Sequence, residues 1–242
     1  MTSQSLHAVV LGATGAVGRE VLGQLLASPR WSSVTAVGRR AADAPAEYTS
    51  QPGYNAAKLK QVVVDMDRLE EQAGGAFAGA DSVFCCLGTT RAAAGSAEAF
   101  KKVDLHYVEA AAKAAAAAGV PHFSLVSAQG ARAGLWASDL KPFHGLLYAK
   151  TKGLAEEAVK ASGFAYATIM RPGLLERGQM ARGLEKAVAK VWSSVPVSKV
   201  AAVMIADAER WHDARRGGGG SGATEGQAAV KVFEMKDIQR YE

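Results

Sequence analysis

Apolar runs of strand length alternate with stretches of helical periodicity through the first two thirds of the chain. The helical stretches are residues 16–28, 96–120 and 145–163, with a weaker one at 68–80. Because the strand runs are apolar at almost every position, they are typical of a parallel sheet covered by helices on both faces. The predicted fold class is therefore α/β, a doubly wound parallel sheet. The runs are "LHAVVLG" (6–12), "SVTAVG" (33–38), "QVVVD" (61–65), "DSVFCCLG" (81–88), "HFSLVS" (122–127) and "AYATIMRPG" (165–173).

The pattern changes near residue 174. Helical periodicity continues in 178–192 and 197–215, and "RRGGGGSGATEGQ" (215–227) predicts a flexible Gly-rich loop. A short strand and one helical turn are expected in the tail. We therefore predict one domain over residues 1–242, in which about 174–242 form a small lobe for substrate or partner.

Three glycines, Gly12, Gly15 and Gly18, lie between the first predicted strand and the first predicted helix, in "VVLGATGAVGRE". In this position glycines permit a tight turn, let a pyrophosphate approach the backbone and allow close packing of helix on strand. The helix N-terminus then offers N–H groups to the phosphates. The alternative is a glycine turn that merely reverses the chain. The placement favours a dinucleotide site, with further contacts from Thr14, Ala16 and Val17.

The second strand ends in Gly38, Arg39 and Arg40 and carries no acidic residue there. Folds that bind NAD usually place a carboxylate at this point to hold the ribose hydroxyls, whereas a guanidinium can hold a 2′-phosphate. The sequence therefore predicts NADP(H), the alternative being a solvated basic turn. Other strand ends supply expected contacts, from Asp65 to the adenine and from Leu87, Gly88 and Thr89 to the cleft.

A serine, a tyrosine and a lysine are the candidate catalytic residues. Ser127 ends the fifth strand, and Tyr148 and Lys152 stand four apart on the next predicted helix, so the tyrosine and lysine share a helix face. Reduction of a carbonyl by hydride leaves an alkoxide that needs a proton, which a phenol can donate. A neighbouring ammonium stabilises the phenolate. We expect Ser127 to orient the substrate oxygen and Lys152 to hold the nicotinamide ribose as well.

Composition narrows the class of partner. The net charge is +5 and the pI about 9.2, yet the basic residues are scattered, which fits an anionic small ligand better than a nucleic acid. The five histidines have no metal-ligand spacing, so no metal site is expected, and no apolar run is long enough for a membrane span. The first strand begins within six residues, which predicts a cytoplasmic protein, with nuclear access left open.

The glycines and the Ser, Tyr and Lys set resemble the short-chain dehydrogenase/reductase superfamily. Several segments are more similar to one atypical branch, the Tat-interacting-protein oxidoreductases: "VLGATGAVGREVL", "VTAVGRR", "FCCLGTTR", "HFSLVSAQGA", "YAKTKGLAE" and "MRPGLL". The resemblance implies an NADP(H)-binding Rossmann fold, with cofactor contacts at the residues named above, at Tyr148 and Lys152, and at Arg171 and Pro172 in the "RPG" turn. Asp104 departs from the pattern, since many active relatives carry an asparagine there, and Ser127 lies farther from Tyr148 than in compact members.

Two functions follow from this reading. The first is an NADP(H)-dependent oxidoreductase that reduces a small carbonyl compound with Tyr148 as proton donor. The alternative is an NADP(H)-dependent regulatory protein with little or no turnover, which would bind a protein partner at the C-terminal lobe. A reductase of the methylated-flavonoid or quinone type shares the fold and would not need Tyr148.

Overall fold

The computed structural model describes residues 5–140, 144–176, 194–217 and 229–241. Its centre is a seven-stranded, wholly parallel sheet with strand order β3-β2-β1-β4-β5-β6-β9. The order reverses beside β1, which opens a crevice at the carboxyl ends of β1 and β4. The strands of this sheet are β1 (Leu6–Leu11), β2 (Trp31–Gly38), β3 (Leu59–Val63), β4 (Ser82–Cys85), β5 (His122–Val126), β6 (Tyr166–Arg171) and β9 (Ala229–Glu234).

Helices cover both faces of the sheet, as the apolar strands predicted. Successive residues of β1 point to opposite faces: Val9 belongs to the core beneath α6 and α7, and Val10 to the core beneath α1 and α8. The α/β fold class is confirmed. The helices are α1 (Ala16–Ala27), α2 (Ala46–Thr49), α3 (Leu69–Gln72), α4 (Arg91–Ala94), α5 (Ala97–Lys101), α6 (Tyr107–Ala117), α7 (His144–Ala161), α8 (Val197–Arg216) and α9 (Met235–Arg240).

The structure differs from the prediction at two of the predicted helices. The stretch 68–80 forms only α3 flanked by short 3₁₀ turns, because Gly74 and Gly75 disfavour a longer helix. The stretch 96–120 is helical, but residues Lys102–His106 form a π-helical segment between α5 and α6. Such segments are rare and are found frequently at functional sites. This one carries the buried Asp104.

The C-terminal third contributes elements to the main sheet and its helical layer, and it also contributes to a second, small sheet. Helix α8 packs against α1, and β9 pairs in parallel with β6 at the edge of the main sheet. Strands β7 (Leu174–Glu176) and β8 (Ser194–Pro196) form a separate two-stranded parallel sheet. The helix predicted at 178–192 and most of the predicted loop at 215–227 lie outside the described residues.

Candidate active site

The turn between β1 and α1 is packed so closely that Gly12 and Gly18 cannot be replaced without strain. Gly12 has φ +76°, and a Cβ atom there would lie 2.5 Å from the carbonyl oxygen of Cys86. A Cβ at Gly18 would lie 2.2 Å from the carbonyl oxygen of Gly12. The amide of Gly15 donates to that same carbonyl at 2.8 Å. The turn is therefore a bare backbone surface at the end of the sheet, of the kind that can approach a pyrophosphate.

A cavity of about 440 Å³ extends from this turn across the ends of β2 and β4. Arg39 and Arg40 lie on its wall with exposed side chains, and Leu87 and Gly88 also line it. Among the described lining residues there is no aspartate or glutamate. The cavity therefore has a basic end at β2 and a neutral glycine turn, which suits an anionic nucleotide. It is also lined by Gly12, Thr14, Gly15, Met66, Val103 and Tyr107.

A second cavity, of about 260 Å³, adjoins the first. The two share Gly15, Cys86, Leu87 and Gly88 in their walls. Ser127, Tyr148 and Lys152 line the second cavity. The structure thus brings the three predicted catalytic side chains to one space beside the glycine turn. Ala16, Val17, Thr89, Thr90, Asp104 and Leu175 complete much of the wall.

The ring of Tyr148 is held by aromatic neighbours. Phe100 of α5 is stacked with it at 5.8 Å between ring centroids, and His144, one helical turn earlier on α7, meets it edge-on at 6.5 Å. Phe100 is itself fully buried. Such ring pairs restrict the orientation of an aromatic side chain. The phenol therefore reaches the cavity on a ring whose position is set by α5.

The ammonium of Lys152 is buried beside a buried carboxylate. Its Nζ lies 2.8 Å from Oδ1 of Asp104, and the other oxygen, Oδ2, accepts from the amide of Thr89 at 2.8 Å. Burial lowers the pKa of Lys152, but the charges of Asp104 and Tyr148 raise it by more, so its net pKa lies above the usual value. The lysine therefore stays charged inside the protein. Gly88 leaves room for it, since a Cβ there would lie 3.3 Å from Nζ.

Ser127 is attached to an ionic network that the sequence did not predict. Its Oγ donates to Oε1 of Glu156 at 2.5 Å, and Glu156 accepts twice from Arg171, at 2.9 and 2.6 Å. Arg171 also donates to Glu234 of β9 at 2.9 Å. Glu156 stands four residues after Lys152, and this helical spacing was the available signal.

Four residues predicted to contact the cofactor do not line either cavity. The side chain of Asp65 accepts from the amide of Asp67 at 3.0 Å, and its neighbour Met66 lines the first cavity instead. Arg171 lines a different cavity, on the far side of Glu156. Pro172 is buried, and its carbonyl accepts from the amide of Gln129 at 2.9 Å. Gly18 lies beneath the turn, where it allows the close packing described above.

Comparison with known families places most of the chain in one group. Residues 12–209 match the family model described as NAD(P)H-binding. Among curated relatives, protein HTATIP2 of Rattus norvegicus is 37% identical over 196 residues, which cover 81% of this chain and 74% of the relative. Protein FMP52, mitochondrial, of Candida albicans is 36% identical over 183 residues, covering 75% and 72% of the two chains.

Solved structures with the same fold are more distant in sequence. A short-chain type dehydrogenase/reductase from Mycobacterium ulcerans superposes with a TM-score of 0.61 at 18% identity, covering 98% of this chain and 91% of that one. The oxidoreductase ylbE from Lactococcus lactis gives 0.59 at 21% identity, covering 98% and 96%. MoeE5 in complex with UDP-glucose and NAD gives 0.63 at 16% identity, covering 93% and 75%. These likenesses establish the Rossmann fold.

The relatives correct one expectation from the sequence. A cytoplasmic protein was predicted, yet several FMP52 relatives are named mitochondrial, which contradicts it. The prediction was wrong because a short segment before the first strand does not decide the compartment. Within the described ranges, no helix is both long enough and apolar enough to cross a bilayer.

Proposed function

The chain belongs to the NAD(P)H-binding family, and from this premise we propose that it is an NADP(H)-dependent oxidoreductase of the short-chain dehydrogenase type that reduces a small carbonyl compound. One observation carries the proposal. Tyr148, Lys152 and Ser127 line one cavity, and this cavity shares Gly15, Leu87 and other wall residues with the cleft at the glycine turn. A substrate in the second cavity would therefore adjoin a nucleotide in the first.

The first cavity suits the diphosphate of a dinucleotide cofactor, and its basic end at β2 suits a 2′-phosphate. Gly12 and Gly15 line the cavity with backbone, and the absence of a side chain at Gly12 lets the turn pack against the carbonyl of Cys86. Arg39 and Arg40 stand at the end of β2, and no carboxylate in the described lining would repel the extra phosphate. These features support NADP(H) over NAD(H). When bound, the cofactor supplies the hydride.

The side chains of the second cavity can complete the reaction. As hydride adds to the carbonyl carbon, the π bond opens and the electron pair moves to the oxygen. Tyr148 gives its phenolic proton to that oxygen, which becomes the hydroxyl of the product. The charged Lys152 stabilises the tyrosinate that remains until solvent returns a proton. Ser127 lines the same cavity and offers a further polar contact to the substrate.

The test is turnover of a carbonyl panel by the purified protein with NADPH and, separately, with NADH. We expect NADPH to be preferred, and Tyr148→Phe to lower kcat by about 100-fold or more while cofactor affinity is kept. Tyr54→Phe is the matched control, since Tyr54 is half-buried and lines neither cavity. Equal turnover by Tyr148→Phe and the parent would refute the role of the phenol. Equal use of the two cofactors would refute the NADP(H) preference.

The ion pair of Lys152 with Asp104 favours a second candidate, the regulatory protein with little turnover. The carboxylate neutralises the charge that would stabilise a tyrosinate. In this case NADP(H) binds without turnover, and a protein partner at the C-terminal lobe binds with an affinity that depends on the cofactor. Calorimetry of that partner with and without NADP(H) tests the idea. Identical affinities would reject it.

A further inference from the structure

Ser127 has one proton to donate, and the structure directs it away from the active site. A serine hydroxyl carries a single O–H and two lone pairs. Its Oγ lies 2.5 Å from Oε1 of Glu156, which is 1% exposed, while the serine itself lines the cavity with Tyr148. The lone pairs of Ser127 are then what remains for a ligand in that cavity.

The network around Glu156 fixes which group donates. Arg171 binds both oxygens of Glu156, and hydrogen bonds to Glu156 raise the pKa of the guanidinium above its already high value. Both oxygens of Glu156 accept hydrogen bonds from the guanidinium, and a carboxylate has no hydrogen to donate to Ser127. Ser127 must therefore be the donor. Glu234 holds the other end of Arg171, so the arrangement is anchored on β9 as well.

We infer that Glu156 is a positioning residue that makes Ser127 a hydrogen-bond acceptor in the active site, so that the enzyme recognises a hydroxyl group there; the inference rests on the proposed reductase function. A carbonyl oxygen facing Ser127 would find no proton, whereas the hydroxyl of an alcohol would donate to it. Tyr148 then polarises the carbonyl without help from the serine. Ser127 therefore accepts a hydrogen bond either from the alcohol that the reaction produces or from a hydroxyl group next to the carbonyl of the substrate.

The kinetic test is a double-mutant cycle of Ser127→Ala and Glu156→Gln, run in both directions of the reaction. We expect each single variant to raise KM for the alcohol by about 3- to 10-fold, the loss of one hydrogen bond, with a much smaller change for the carbonyl. In the Ser127→Ala background, Glu156→Gln should then add nothing. Two outcomes would mean that Glu156 contributes only to stability. One is an equal increase in KM for the alcohol and the carbonyl. The other is that Glu156→Gln raises KM for the alcohol as much in the Ser127→Ala background as in the parent.

Glu157→Gln is the matched control. Glu157 is the next residue on α7, its side chain is 59% exposed, and it forms a surface pair with Lys160. We expect its kinetics to equal those of the parent. A shift of the alcohol KM in this variant as large as in Glu156→Gln would overturn the assignment, because the contact with Ser127 would then not be the cause.

A measurement that needs no turnover separates this inference from the proposed function. Neutron diffraction on deuterated crystals locates the Ser127 deuterium directly. Deuterium density between Oγ and Glu156 supports the inference even if no carbonyl is reduced, and deuterium pointing into the cavity overturns it even if the reductase activity is confirmed. The same map serves if Glu156→Gln does not fold.

Discussion

The carboxylate of Asp104 and the ammonium of Lys152 form an ion pair of 2.8 Å in which the aspartate is fully buried and the lysine side chain is 6% exposed. The pair joins the π-helical segment to α7 in the wall of the cavity that Tyr148 also lines. Each charge depends on the other, because neither has solvent to stabilise it.

Asp104→Asn should destabilise the protein strongly. The amide can still accept from the amide of Thr89, but Lys152 loses its counter-charge, and burial then lowers the pKa of Lys152. We expect the free energy of unfolding to fall by about 3–5 kcal/mol, as measured by chemical denaturation. Asp67→Asn is the control, since its pair with Lys102 is exposed and screened by solvent and should contribute no measurable stability. If both variants lose the same free energy of unfolding, the buried pair does not have this stabilising role.

Arg39→Ala should weaken the binding of NADPH without weakening the binding of NADH. A guanidinium that binds the 2′-phosphate is lost, so we expect Kd for NADPH to rise by about 10- to 100-fold in fluorescence titrations. Arg40→Ala addresses the neighbouring residue in the same way. Arg68→Ala, which removes an exposed surface arginine paired with Glu71, is the control. If both cofactors weaken equally in Arg39→Ala, the arginine does not read the phosphate.

Gly12→Ala should abolish cofactor binding, and its effect can be separated from simple backbone strain. Gly119 has nearly the same conformation, φ +73°, but a Cβ there meets nothing within 4 Å. We expect Gly119→Ala to cost about 1–2 kcal/mol of stability, the penalty of a left-handed residue alone, with normal binding. Gly12→Ala adds a clash at 2.5 Å with the Cys86 carbonyl. Normal NADPH affinity in Gly12→Ala would show that the turn does not hold the nucleotide.

Two buried histidines near the amino ends of β4 and β5 should make the protein sensitive to acid. Ser82 lies 2.9 Å from both His122 Nδ1 and His212 Nε2. Burial, with the nearby His212, lowers the pKa of His122 to about 3, and burial lowers that of His212 to about 4. Between pH 6.5 and 4 the unfolded chain binds protons that the folded protein does not. Stability should therefore fall as the pH drops through that window, by roughly 1.4 kcal/mol per pH unit for each histidine.

Thermal or urea unfolding at pH 7.5, 6 and 5 measures this loss. His212→Gln removes one of the two titrating groups and should flatten the slope between pH 6.5 and 4. His106→Gln is the control, because that side chain is 59% exposed. A slope unchanged by His212→Gln would mean that other groups cause the acid sensitivity.

The strands were predictable because local signals determine them. Val9 and Val10 of β1 face opposite cores, and a continuous apolar run is what such a strand requires. The glycine turn was predictable for a similar reason, since Gly12 must adopt a positive φ beside the neighbouring strand. In both cases the sequence within a few residues determines the structure.

The roles of Arg171 and Glu156 were not predictable in this way. Arg171 was expected to contact the cofactor, but its guanidinium is bound by Glu156, 15 residues earlier, and by Glu234, 63 residues later. Which carboxylate a long side chain reaches depends on the packing of α7 and β9 around it. Asp65 is a similar case, because a local turn binds its side chain and leaves Met66 to the cavity.

The π-helical segment at Lys102–His106 makes the site sensitive to the number of residues between α5 and α6. A π turn closes its hydrogen bond over one residue more than an α turn does, so this segment is equivalent to a one-residue insertion in a regular helix. Deleting that residue would let α5 run straight into α6 and would turn the residues on either side of the deletion by about 100° relative to each other. Phe100 beneath Tyr148 and Val108 in the core could then not both keep their places. At this position insertions and deletions matter as much to the site as the identities of its side chains.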